Sequence, residues 1–152
     1  MAKNYRLVMA GFGNVGRALA RLLKKKELEL LENYGITFSV KGIATGRHGS
    51  AIDPVGLDLQ SALQLVEKGE RIDSLNKVPH GPHTLDFINA CQGDVFIETT
   101  PLNPITGQPA INHLAAALEQ GMHVVTANKG PVVHGYKTLS QLADSKHLKF
   151  LF

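Results

Sequence analysis

Three glycines near the start of the chain, Gly11, Gly13 and Gly16, stand at G-x-G-x-x-G spacing, after an apolar run at residues 7–10 and before an amphipathic stretch that begins at Asn14. In a turn that receives a phosphate each glycine has a use. Gly11 permits the tight exit from a strand, Gly13 leaves the backbone open to a pyrophosphate, and Gly16 lets the next helix approach the strand. The free N–H groups and positive dipole end of that helix then point at the anion. The spacing alone is common; a strand before it and a helix after it are the context that a dinucleotide turn requires, and both are expected here.

Other residues with usable chemistry lie where later strands should end. Dinucleotide folds usually carry an acid after the second strand for the ribose 2′-hydroxyl, or an arginine nearby for a 2′-phosphate. This chain has Ala44-Thr45-Gly46-Arg47-His48-Gly49 there. With no acid present, the guanidinium fork of Arg47 favours NADP over NAD, or use of both, and Thr45 beside it is a further cofactor-binding candidate; the other reading of Arg47 is a solvated loop arginine. Thr99, Thr100 and Pro101 follow a strand expected at residues 94–98, so their loop should face the nicotinamide half of a cofactor. Glu98, at that strand's end, is expected to be satisfied by backbone N–H groups. Asn128 and Lys129 follow another expected strand, at residues 123–127, in a loop with Gly130 and Pro131. His80, His83 and Cys91 lack zinc spacing and a fourth ligand, so no metal site is expected.

The elements that must hold these residues alternate. A first helix is expected over residues 14–32, with Val15, Ala18, Leu19, Leu22 and Leu23 as its core stripe and residues 33–35 as its stop; Lys24, Lys25 and Lys26 read as its solvated end. A strand follows at 37–45, then a short helix at 59–68 capped by Asp58, an irregular segment at 71–83, and a helix to residue 92 capped by Thr84. Further helices are expected at 110–120 and 136–145, with a last strand beginning at 149. Strand–helix alternation predicts an α/β fold with a doubly wound, mostly parallel sheet of Rossmann type, and the length of 152 residues predicts one domain, 1–152.

Composition fits that reading. The chain is 43% hydrophobic and 19% charged, with a net charge of +3. That charge suits an anionic small ligand and is too small to argue for nucleic acid. There is no apolar leader at the N-terminus and no bilayer-length apolar run, and one cysteine permits no internal disulfide, so a cytoplasmic protein without a membrane partner is expected.

With its elements in order, the chain resembles the N-terminal, cofactor-binding part of the homoserine dehydrogenase family. The likeness is carried by Gly11-Phe12-Gly13-Asn14-Val15-Gly16, by Asp94-Val95-Phe96-Ile97-Glu98-Thr99-Thr100-Pro101, by Asn103-Pro104-Ile105-Thr106-Gly107-Gln108-Pro109-Ala110 and by Val124-Val125-Thr126-Ala127-Asn128-Lys129-Gly130-Pro131. The first is shared by many dehydrogenases; the last two are much more particular.

The resemblance implies interconversion of L-homoserine and L-aspartate 4-semialdehyde with NADP(H) or NAD(H), on the route to threonine, methionine and isoleucine. It implies that Phe12, Asn14 and Val15 lie against the pyrophosphate and ribose, that Thr99 and Thr100 flank the nicotinamide, and that Lys129 reaches both the cofactor and the reacting hydroxyl as the catalytic cation. It also implies a separate substrate domain beyond Phe152, with an Asp and a Lys that hold homoserine, a monovalent-cation loop and most of a homo-oligomer interface. The present residues alone are then expected to bind cofactor weakly and not to turn over. Two alternatives stay open: another Rossmann oxidoreductase of amino-acid metabolism, such as a dihydrodipicolinate reductase-like enzyme, and a non-catalytic nucleotide-binding module. The first leaves the Asn-Pro-x-Thr-Gly segment unexplained, and the second lacks a visible partner-binding element.

Overall fold

Alternation along the first strand decides the layering. In β1 (Lys3–Ala10), Leu7 and Met9 join one apolar cluster while Val8 and Ala10 join another, so both faces of the strand are covered. The computed structural model, which describes residues 1–152, builds a six-stranded sheet around this strand. The other strands are β2 (Ile36–Ala44), β3 (Ser50–Ile52), β4 (Val95–Glu98), β5 (His123–Thr126) and β6 (Phe150–Leu151), and the spatial order is β3-β2-β1-β4-β5-β6. All pairings are parallel except β2 with β3. The sheet is therefore mostly parallel and doubly wound, as the alternation predicts. The antiparallel edge β3 was not predicted; three residues are too few to show a period.

The helices are α1 (Asn14–Tyr34), α2 (Leu59–Glu67), α3 (Thr84–Ala90), α4 (Ala110–Glu119) and α5 (Lys129–Ser145), with a 3-10 turn at Ile72–Leu75 inside the segment expected to be irregular. The cluster of Met9, Ile43, Leu63 and Ile72 fills one side of the sheet, and that of Phe87, Phe96, Leu114 and Leu139 the other. Each such side chain contributes about 1.5–3 kcal/mol on burial. No helix is long and apolar enough to cross a membrane.

Several expectations about the helices are corrected. In α1 the buried residues are Gly16 and Ala20; of the expected stripe Leu19 and Leu23 are half-buried and pack on the core, while Val15 and Leu22 are half exposed and Ala18 is exposed. Gly16 sets that rotation: a Cβ there would lie 2.4 Å from the carbonyl oxygen of Gly11, so only a face of small residues can sit so close to the turn. The helix also runs past residue 32, to a left-handed Gly35 whose N–H bonds the carbonyls of Leu30 and Leu31. Lys24, Lys25 and Lys26 are thus mid-helix, and no dipole argument applies to them; Lys24 bonds Gln60, and Lys26 pairs with Glu29.

Asp58 caps α2 as expected, accepting from the Gln60 and Ser61 N–H groups at 3.2 Å each; the Ser61 hydroxyl bond chiefly, and then these two, hold its carboxyl below the ordinary value against the opposing effect of burial. In α3 the capping position is His83 rather than Thr84; Asp86, three residues on, accepts the His83 N–H at 3.1 Å. A further correction concerns α5. It begins at Lys129, seven residues before the expected start, because Asn128 caps it and Pro131 is tolerated in the first turn.

Candidate cofactor site

The order β3-β2-β1-β4-β5-β6 makes the chain leave β1 to one side and return on the other, so β1 and β4 flank a switch point where a crevice opens at the strands' carboxyl ends. Its volume is about 600 Å³. Gly11, Phe12, Gly13, Asn14 and Val15 form one wall, Ala44, Thr45, Gly46, Arg47 and His48 another, and Thr99, Thr100 and Pro101 a third. Three segments far apart in sequence are thereby brought together.

The three motif glycines differ in kind. Gly11 has φ +93°, and a Cβ on it would stand 2.4 Å from the Thr99 carbonyl carbon. Gly16 meets the Gly11 carbonyl, as above. Gly13 has φ −79° and a Cβ there would meet nothing within 4 Å. The fold itself therefore requires glycine at 11 and 16 and makes no such demand at 13. What glycine at 13 does is leave the approach to the first turn of α1 unobstructed, with Gly13 at the cap and no side chain capping the helix amides. These residues fit a dinucleotide pyrophosphate.

Phe12 is buried in the core, so only its backbone is available to a ligand; Asn14 and Val15 are exposed. Arg17 also lines the crevice, bonded to the Gly13 carbonyl at 3.2 Å and to Asn14 Oδ1 at 3.1 Å. Sequence reading missed it, although its place four residues after Gly13, one helical turn on, was a usable signal. Val66 and Thr84 on the wall were missed as well, and nothing local marks them.

Thr45 is tied into its own turn: its N–H and hydroxyl both donate to the Gly49 carbonyl, and its Oγ1 accepts the His48 N–H at 2.6 Å. Arg47 stands exposed at the tip with no ion pair. It borders both the crevice and a neighbouring polar hollow of about 340 Å³ that also holds Arg71 and His80. His80 is engaged with Ser50 at 2.7 Å and the Val78 carbonyl at 2.8 Å, and Cys91 is buried in the core, where desolvation pushes its thiol up to about 12.

Beyond β4 and β5 the polar groups are bound to one another. Thr99 Oγ1 donates to the Gly11 carbonyl at 2.9 Å. Glu98 is fully buried and accepts one backbone N–H, that of Thr100 at 2.7 Å, together with the hydroxyls of Thr100 and Thr126. The expectation of backbone donors alone is thus half right; the threonines were not foreseen as its partners. Asn128 and Lys129 are not on the crevice wall. Asn128 is buried and donates to the carbonyls of Thr100 and Pro101, at 3.3 and 3.5 Å. Lys129, expected in a loop, is the first residue of α5, exposed and without a side-chain partner.

The Asn-Pro-x-Thr-Gly segment is a folded turn packed on α5. Asn103 Oδ1 accepts the N–H groups of Ile105 and Thr106, at 3.1 and 3.2 Å. Gly107 lies so close to Gly130 that a Cβ would come within 2.7 Å of the Gly130 carbonyl oxygen. His134 on α5 bonds the Pro104 carbonyl at 2.7 Å.

Comparison with known proteins agrees with this geometry. Residues 11–152 match the family model of the homoserine dehydrogenase NAD-binding domain. The chain is 38% identical to the homoserine dehydrogenase of Methanocaldococcus jannaschii, over 93% of this chain and 41% of that protein. It is 36% identical to the NAD(+)-dependent homoserine dehydrogenase of Pseudomonas canavaninivorans, over 96% and 42%. A hyperthermophilic archaeal homoserine dehydrogenase solved in complex with NADPH shares the fold, with a TM-score of 0.80 at 22% identity, over 99% of this chain and 44% of that one. The chain thus spans about two fifths of the length of the curated relatives it matches. Crevice, glycine turn and family model together make it a member of the homoserine dehydrogenase NAD-binding domain family.

Proposed function

We propose that residues 1–152 are the cofactor-binding domain of a homoserine dehydrogenase, holding NADP(H) in preference to NAD(H) at the switch-point crevice. The observation that carries the reading is Gly13: its Cβ position is open although its backbone does not demand glycine, so it serves what approaches from outside. In this reading Gly11, Gly13 and Gly16 with the backbone of Phe12, Asn14 and Val15 hold the pyrophosphate. Arg47, unpaired beside Thr45, takes the 2′-phosphate as a charge-assisted fork. Thr99, Thr100 and Pro101 border the nicotinamide half.

The cofactor supplies a hydride acceptor for the carbinol carbon of L-homoserine. As that carbon gives up hydride, its hydroxyl must lose a proton, and a cation held nearby stabilises the developing oxygen charge. Lys129 suits that task. The positive end of the α5 dipole disfavours a cation at this place and no carboxylate compensates, so stability does not account for it. Asn128 fixes the turn that presents it. The reading carries with it a small-molecule substrate, a cytoplasmic place and a longer homo-oligomeric protein.

Titration of the protein with NADPH and with NADH, followed by nicotinamide fluorescence, tests the binding half. Saturable binding of both, tighter for NADPH, is the expected result. Absence of binding by either would overturn the reading.

A further inference from the structure

Glu98 is wholly buried at the end of β4, and it is the one carboxylate in the sheet interior. Burying such a group is costly unless every acceptor is used, and an apolar side chain would close the same space without that cost. The register places it beside Thr126, in one row with Ala10 and Ala44 across the strand ends. Both of its oxygens are used, and all three partners donate. Oε1 accepts the Thr100 N–H at 2.7 Å and the Thr100 hydroxyl, and Oε2 accepts the Thr126 hydroxyl at 2.5 Å.

The chain of bonds then closes on itself. Thr126 Oγ1 accepts the Asn128 N–H at 2.9 Å, Asn128 Oδ1 caps α5 by accepting the Gly130 N–H at 3.1 Å, and Asn128 Nδ2 returns to the Thr100 carbonyl at 3.3 Å. Two strand ends, one loop and the first turn of a helix are fastened to one carboxylate, and Lys129 is the next residue along. A carboxylate serves all three donors at once, whereas an amide keeps one acceptor oxygen and turns an N–H either toward the Thr126 hydroxyl, which must then redirect its own proton, or toward the Thr100 N–H, which loses its acceptor.

We propose that Glu98 is a positioning residue for the nicotinamide half of the site, setting the Thr100 loop and the Lys129 turn relative to each other. This rests on the dinucleotide reading given above. It makes the site separable: the adenosine half, between the glycine turn and Arg47, touches none of these bonds, so disturbing them weakens whole cofactor and spares its adenosine portion.

The test compares NADPH with 2′,5′-ADP, which lacks the nicotinamide, on wild type, Glu98→Gln, Thr126→Val and Thr126→Ser, with thermal melts alongside. Expected for Glu98→Gln and Thr126→Val is a loss of NADPH affinity of about tenfold or more and altered bound-nicotinamide fluorescence, with 2′,5′-ADP affinity within about twofold of wild type. Thr126→Ser, which keeps the hydroxyl, retains wild-type NADPH binding. If Glu98→Gln does not fold, the Thr126 pair alone decides. A parallel loss of both ligands, unchanged NADPH affinity, or equal losses in the two Thr126 variants would each overturn the proposal. Wild-type protein that binds neither ligand would instead overturn the dinucleotide reading, and the inference would go with it.

Discussion

The Gly11–Gly16 turn and the paired ends of β4 and β5 lie side by side at the carboxyl edge of the sheet, and they are made in opposite ways. The glycine turn offers backbone: side chains are absent at 11, 13 and 16, Phe12 turns inward, and no side chain caps the first amides of α1. The β4–β5 edge offers side chains, almost all spent on one another through Glu98, Thr100, Thr126 and Asn128, with Lys129 left over. A wall of bare amides recognises charge wherever it sits along a phosphate chain. A wall of mutually bonded side chains fixes one geometry, which is what orientation of reacting groups needs.

The sharpest way to break this contrast is Lys129→Ala in a protein of the relatives' full length. Homoserine-dependent NADPH formation should fall about 10²–10³-fold, while stability changes by no more than about 0.5 kcal/mol. Unchanged turnover in a folded variant would make Lys129 an ordinary surface lysine.

Next in size is the backbone wall. Gly13→Val should weaken NADPH roughly 100-fold, about 2.7 kcal/mol, because it fills the approach to the helix amides, while thermal melts stay close to wild type. Gly11→Ala should do the reverse of sparing the fold. Strain at φ +93° and the clash with Thr99 destabilise it, by about 1–3 kcal/mol, visible as a drop in Tm of several degrees. If both variants lose stability equally, Gly13 is structural after all.

Arg47→Ala should erase the preference for NADPH over NADH, a factor of roughly 10 to 150 for a charge-assisted bond. An unchanged ratio of the two affinities would remove Arg47 as the phosphate clamp.

The smallest effect is in pH. His113, on α4, is buried with no partner for Nδ1; desolvation lowers its pKa below the ordinary 6.5, and Glu98 opposes that shift. The unfolded chain therefore binds the proton more readily. Stability is in full effect above about pH 6.5 and declines as pH falls below it, toward the folded-state value. Urea melts of wild type and His113→Leu between pH 5 and 8 measure this. A slope that persists in the variant would assign it to other groups. Asp94, lowered chiefly by its hydrogen bond to Arg6, acts only below its own ordinary value of 3.8 and does not overlap that window.

The same contrast explains what could be read before the structure was known. The glycine turn is local: strand, spacing and helix lie within residues 7–34, and each leaves a mark in composition. The layering was readable because β and α segments alternate. The β4–β5 network was not, since its bond from Thr126 to Glu98 spans 28 residues and nothing near either residue announces the other. The start of α5 was misread for a different reason. Gly130 and Pro131 look like a loop, although Asn128 was a sufficient capping signal and proline is at home in a first turn. On α1 the apolar period marks Leu19 and Leu23 correctly, but the close approach at Gly16 turns Val15 and Leu22 outward, and period alone does not show that approach.

The contact between Gly107 and Gly130 bears on how this edge of the molecule moves. Residues 103–107 have no regular secondary structure, yet their backbone leans on α5 with no space for a methyl group, and the Gly107 N–H is closed onto the Asn103 carbonyl at 2.9 Å. In hydrogen–deuterium exchange the Gly107 amide should be protected on the timescale of the α5 amides rather than that of a surface loop. Such protection would mean that the segment moves with α5 as one block, with Gly107 acting as a packing contact and not as a hinge.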